Sequence, residues 1–128
     1  MNLREYFDAT AGHGVIATAD AKGKVGIAVY AKPFVIDDGL IAFIMAAHQS
    51  YANVQSNPSA AYLFIETGGE YAGKRLYLTK VRESAGGAID DPELARRFEK
   101  AAREYSNEKL SLVYFKVDRL LPLVGDKG

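Results

Sequence analysis

Short runs of alternating hydrophobic and polar residues fill the first eighty positions, and one long helical stripe follows them. Leu3, Tyr6, Phe7 and Ala11 recur at helical spacing behind Asn2, and Glu5 stands where a capping box needs it. Gly12 is a natural stop for that helix. Residues 15–19 and 25–31 predict two strands around the turn Asp20-Ala21-Lys22-Gly23. Pro33 marks a strand start, an edge or a bulge, because it cannot donate to a ladder. Phe34-Val35-Ile36 continues extended. The turn Asp37-Asp38-Gly39 then sends the chain back through a strand over 40–45. The apolar run 41–47 breaks at His48, Gln49 and Ser50, a short helix is expected over 50–56, and Asn57-Pro58 ends it. Residues 60–67 predict a strand, Gly68-Gly69 a break and 70–73 a loop. In the next strand, 74–83, Leu76 and Leu78 face one way and Tyr77, Thr79 and Val81 the other. Gly86-Gly87 punctuates the chain. Asp90 or Asp91 caps the longest helix, and Pro92 in its first turn loses no hydrogen bond. Its apolar stripe is Leu94, Ala95, Phe98, Ala101, Ala102 and Tyr105. Residues 110–117 form the last expected strand, and 120–128 a tail.

This order predicts a mainly β fold, an antiparallel sheet that closes or nearly closes with helices set to one side. The 128 residues suffice for a single domain, 1–128. Formal net charge is zero, which removes a global electrostatic case for nucleic acid or an anionic membrane. With no cysteine, disulfides, thiol catalysis and cysteine metal sites are excluded. No apolar run approaches the ~20 residues of a membrane span. The first dozen residues lack a signal peptide's apolar centre, so a soluble cytoplasmic protein is the expectation.

The chemistry on offer is sparse. There are two histidines, His13 and His48, and no HExxH, GxSxG, Walker or GxGxxG pattern. The chain either only binds something or relies on a cofactor for its chemistry. Two features suit a cofactor. The polar corner at His48–Asn53 opens a helix, whose free N–H groups and dipole favour an anion. Around it lie small residues, Gly26, Ala28 and Ala31 on one strand and Ala42, Ala46 and Ala47 on another. They either admit a flat ligand to the backbone or simply pack a tight barrel.

The segment GVIATADAKGKVGIAVYAKPFVIDDGLIAFIM resembles the first two hairpins of the FMN-binding split-barrel family, the pyridoxamine 5'-phosphate oxidase-like proteins and their small FMN-binding members. HQSYANVQSNPSAAYLFI is similar to that family's strand, polar corner, short helix and Asn-Pro stop, and GGEYAG with RLYLTKV is similar to its next loop and strand. The resemblance covers about residues 14–81.

It implies a six-stranded antiparallel split β-barrel, a homodimer with FMN in a groove at the subunit interface, and oxidoreductase chemistry with a nicotinamide or another small redox partner. Gln49 and Ser50 would hold the phosphate, with Asn53 nearby and His48 shaping the corner. Ala28, Val29, Tyr30, Ala31 and Lys32 would run along the flavin, and Ala46 and Ala47 would line it from the neighbouring strand. Lys74 or Arg75 could add positive charge. Many members carry Arg or Lys where this chain has Gln49, so the phosphate would depend on Ser50, the helix start, and Lys32 or Lys74. The arginine-rich pocket of a true pyridoxamine-phosphate oxidase is not recognisable. The alternatives are a non-enzymatic FMN-binding electron carrier and a barrel that has lost flavin and serves as a binding or dimerisation module. Related split barrels take haem or a deazaflavin, and a haem ligand would have to be His13 or His48.

Overall fold

The computed structural model describes residues 2–85 and 89–125. The expected Gly86-Gly87 break and the end of the tail, 126–128, lie outside them. In chain order the elements are α1 (Leu3–Ala9), β1 (Gly12–Ala19), β2 (Val25–Tyr30), β3 (Phe34–Asp37), β4 (Leu40–Ala46), α2 (Gln49–Ser56), β5 (Ser59–Glu66), β6 (Gly73–Ser84), α3 (Pro92–Glu104) and β7 (Leu110–Pro122).

Local signals explain most boundaries. Asn2 Oδ1 accepts the Glu5 N–H at 3.1 Å and starts α1. Asp20 Oδ1 accepts from the N–H groups of Lys22 and Lys24, and Gly23 takes φ +82°, which closes the β1–β2 turn. Asp91 Oδ1 accepts from Glu93 and Leu94 at the start of α3, and Pro92 follows at its first position. Three expectations shift. Gly12 does not stop α1 but opens β1, opposite Glu66, where a Cβ would lie 2.4 Å from the Ile65 carbonyl oxygen. α2 begins one residue earlier than expected, at Gln49: the cap position is His48, whose side chain makes no cap bond, and Ser50 lies inside the helix. β7 runs five residues past Val117, because Arg119, Leu120, Leu121 and Pro122 pair with the first half of β6.

All seven strands join one antiparallel sheet in the order β2-β1-β5-β6-β7-β4-β3. Its two edge strands, β2 and β3, are consecutive and are linked by three residues, Ala31, Lys32 and Pro33. Such a link spans at most about 14 Å, so the sheet must curl until its edges approach at that end. No ladder joins β2 to β3 among the described residues. The sheet is mainly antiparallel β with flanking helices, as the pattern predicted. It is an open curl of seven strands where six in a barrel were expected.

Inside the curl lies the main core, with Ile16, Phe43, Phe64, Leu76, Val113 and Phe115 among its members. A second cluster, Ala42, Leu112, Tyr114, Leu94 and Phe98, fills the space between the sheet's outer face and α3. β4 and β7 therefore bury both faces where α3 covers them, which is why they read as continuous apolar runs. β6 buries Leu76 and Leu78 and exposes Tyr77 and Val81, as its alternation predicts. Among the described residues no helix is long and apolar enough to cross a membrane.

Candidate functional site

A cavity of about 550 Å³ lies where β2, the end of β4, the start of α2 and the end of α3 meet. From β2 and its link it is lined by Ile27, Ala28, Val29, Tyr30 and Ala31. Consecutive residues of a strand point to opposite faces, so a cavity touched by all five runs along the strand's edge. Among the described residues that edge carries no ladder, because β2 has β1 as its one sheet neighbour. The small side chains of Ala28 and Ala31 leave the edge accessible, and Ala46 does the same on β4. Ala42, read with them, serves packing instead: it is fully buried beside Leu94 and Phe98.

The polar corner forms the cavity's second wall through His48, Gln49 and Ser50. The chain turns sharply there, with the His48 N–H donating to the Ala46 carbonyl at 2.7 Å, and α2 begins with His48 accepting from the Ala52 N–H. Ser50 is buried beside the Tyr30 phenol. Burial pushes the Tyr30 phenol up, and the nearby Ser50 side chain offsets part of that rise. Gly26 allows α2 to sit this close, since a Cβ there would come within 3.2 Å of the Gln49 side chain.

α2 is anchored from both sides. The buried Asn53 donates to Thr18 Oγ1 at 3.0 Å and ties the helix to β1. Tyr51 donates to Glu83 Oε2 at 2.5 Å, and Lys80 donates to Glu83 Oε1 at 2.7 Å. These bonds, that from Lys80 first, hold the Glu83 carboxyl down at about 2. The Tyr51 phenol is pushed up in turn, chiefly by its bond to Glu83.

The third wall comes from α3 and the segment after it, through Ala101, Tyr105, Glu108 and Leu110. The α3 stripe divides here. Leu94 and Phe98 pack on the sheet, whereas Ala101 and Tyr105 reach past it to the cavity, and Tyr105 stays 55% exposed. Its continuation beyond Phe98 was the sequence signal for this wall. Glu108 carried no such signal. Its Oε1 lies 2.6 Å from His48 Nε2, joining the α3 side of the rim to the start of α2.

Of the residues named from the sequence, the fold brings Ala28, Val29, Tyr30, Ala31, Ala46, His48, Gln49 and Ser50 to one cavity. Ala47 is exposed beside it, and Asn53 stands behind the helix. The cations go elsewhere. Lys32 Nζ donates to the carbonyls of Phe7 and Thr10 at the end of α1. Lys74 Nζ sits 5.3 Å from the centroid of the Tyr6 ring. Arg75 bonds the carbonyls of Pro122 and Gly125. Among the described residues no lysine or arginine lines the cavity. His13 lies on β1, outside its lining.

No protein-family model matches the chain, and neither does any curated protein sequence. Solved structures do. An FMN-binding protein from Syntrophomonas wolfei superposes with a TM-score of 0.72 at 22% identity, over 95% of this chain and 84% of that one. An F420 reductase gives 0.65 at 14% identity, over 91% and 94%. HutZ, a haem storage protein from Vibrio cholerae, gives 0.59 at 17% identity, over 94% and 91%. The fold of this chain is therefore that of the FMN-binding split barrels.

Proposed function

We propose that the cavity along the β2 edge binds FMN and that the protein is an FMN-dependent oxidoreductase acting as a homodimer. The observation that carries this reading is the convergence of a free strand edge, small side chains and a helix start on one cavity of ligand size. The walls fit a flat aromatic ring system: Ala28, Ala31 and Ala46 leave room, and the β2 backbone offers unpaired donors and acceptors. The phosphate is met less fully. Gln49, Ser50 and the first N–H groups of α2 would hold it, but this chain adds no Lys or Arg to that wall.

A second copy of the chain supplies what is missing in this reading. Val25, Ile27 and Val29 stand 73%, 75% and 77% exposed on β2. Three large apolar side chains on an unpaired edge strand are a liability unless another surface covers them. A partner laid on this edge would bury them and close the open side of the cavity.

Bound FMN would supply the hydride and electron transfer, with a nicotinamide or another small redox partner at its other face. The chain's own task is positioning. Asn53, Tyr51 and Glu83 fix α2, Ser50 lies buried beside Tyr30 at the corner, and Ala28, Ala31 and Ala46 leave room for the ring. The reading places the protein in the cytoplasm, in keeping with a sequence free of cysteine.

The absorption spectrum of the purified protein tests this directly. A flavin spectrum bleached by NADH or NADPH without oxygen supports the oxidoreductase, and flavin without turnover supports the electron carrier. A colourless protein that ignores added FMN leaves the binding or dimerisation module. A Soret band would indicate haem instead, with His48 as the histidine that reaches the cavity.

A further inference from the structure

Among the described residues the cavity wall holds one histidine, His48, and one carboxylate, Glu108, and the two are hydrogen-bonded to each other at 2.6 Å. They sit at the start of α2, whose first N–H groups receive no side-chain cap from His48. The chain thus sets its own anion at the corner where a ligand's anion would arrive. Lys32, Lys74 and Arg75 make their contacts at the end of α1, at Tyr6 and at the end of β7.

We propose that Glu108 is a specificity-determining residue of this cavity: it competes with a ligand's phosphate for His48 and lowers the preference for FMN over riboflavin. The inference rests on the flavin reading. If Glu108 stays in place, its carboxylate repels the phosphate. If it swings away, its bond to His48 is lost. Either cost falls on the phosphorylated ligand and spares the neutral ring system that riboflavin shares with FMN. Glu108 is carried by the turn after α3, where its N–H donates to the Tyr105 carbonyl at 2.9 Å. Its side chain is 35% exposed and that of His48 71%, so solvent screens the effect to severalfold rather than orders of magnitude.

The test is a titration of apoprotein with FMN and with riboflavin at one fixed ionic strength, followed by flavin fluorescence. Glu108→Gln keeps the shape and removes the charge. It should tighten FMN by about 3- to 10-fold and leave riboflavin within about twofold, the range expected for one partly screened charge. Glu108→Ala should do the same, and His48→Gln should weaken FMN alone. An equal shift for both flavins would make the pair a structural brace and overturn the proposal, as would an FMN affinity that is unchanged or lower in Glu108→Gln. Those results leave the flavin reading standing. Failure of both flavins to bind the wild-type protein would overturn the flavin reading and this proposal together.

Discussion

The Tyr62 hydroxyl lies 3.1 Å from the Tyr30 carbonyl and 3.1 Å from that of Ala31. It reaches from the inside of the curl to the end of the β2 edge, across β1. Gly14 makes the path: a Cβ at that position would stand 2.1 Å from the Tyr62 oxygen. Tyr62→Phe should therefore cost about 1 kcal/mol, one net hydrogen bond. Gly14→Ala should cost more, about 1–3 kcal/mol, because the tyrosine is fully buried and cannot step aside. Urea unfolding measures both, and the midpoint should fall at unchanged slope.

Glu83 makes stability depend on acid. Its carboxyl is held at about 2 in the folded chain, below an ordinary value of 4.5. A depressed carboxyl binds fewer protons folded than unfolded, so its contribution is complete above about pH 5 and is lost as pH falls from 4.5 towards 2. Glu83→Gln should lower stability at pH 7 by about 1–3 kcal/mol and flatten the acid limb of the stability profile. A parallel profile for the two proteins would show that Glu83 is not the group responsible.

The β2 edge predicts an oligomer with a clear signature. Ile27→Glu should hardly affect the stability of a single chain, because the side chain is 75% exposed. If two copies pair on this edge around FMN, as proposed, it should nevertheless convert that dimer to monomer in sedimentation and release most of the flavin. A wild-type monomer with full flavin would place the cofactor's second wall within one chain.

Ser50→Ala tests the corner itself. The substitution removes the hydroxyl proposed to meet the phosphate, so FMN affinity should fall by about tenfold, the loss of one charge-assisted bond. The unfolding midpoint should move little, since Ser50 makes no cap bond. Unchanged FMN affinity would move the phosphate away from α2.

Much of this architecture was legible because strand alternation and turn chemistry are local. The Asp20 and Asp37 turns, the Asn2 and Asp91 caps and the two-faced pattern of β6 need no information from distant parts of the chain. The cavity's β2 and α2 walls were legible for the same reason, as neighbouring words with small residues and a polar break. Pairing partners were not. Lys32 and Lys74 read as free cations near the corner, yet their positions are set by the end of α1 and by Tyr6. Glu108 reads as one more charge in a polar stretch, and only the return of the chain after α3 brings it to His48. The extra length of β7 was hidden by Pro122, which a strand tolerates at its end.

The sheet order has a consequence for how the protein is made. β7 comes last of the seven strands, yet it lies between β6 and β4. Before it emerges from the ribosome, β2-β1-β5-β6 and β4-β3 have no ladder between them. The nascent chain must keep the apolar faces of Phe43 and Leu76 apart from unwanted partners until residues 110–122 arrive to join the two halves. A chaperone that shields exposed strand edges would act on this protein late, in the interval before β7 closes the gap.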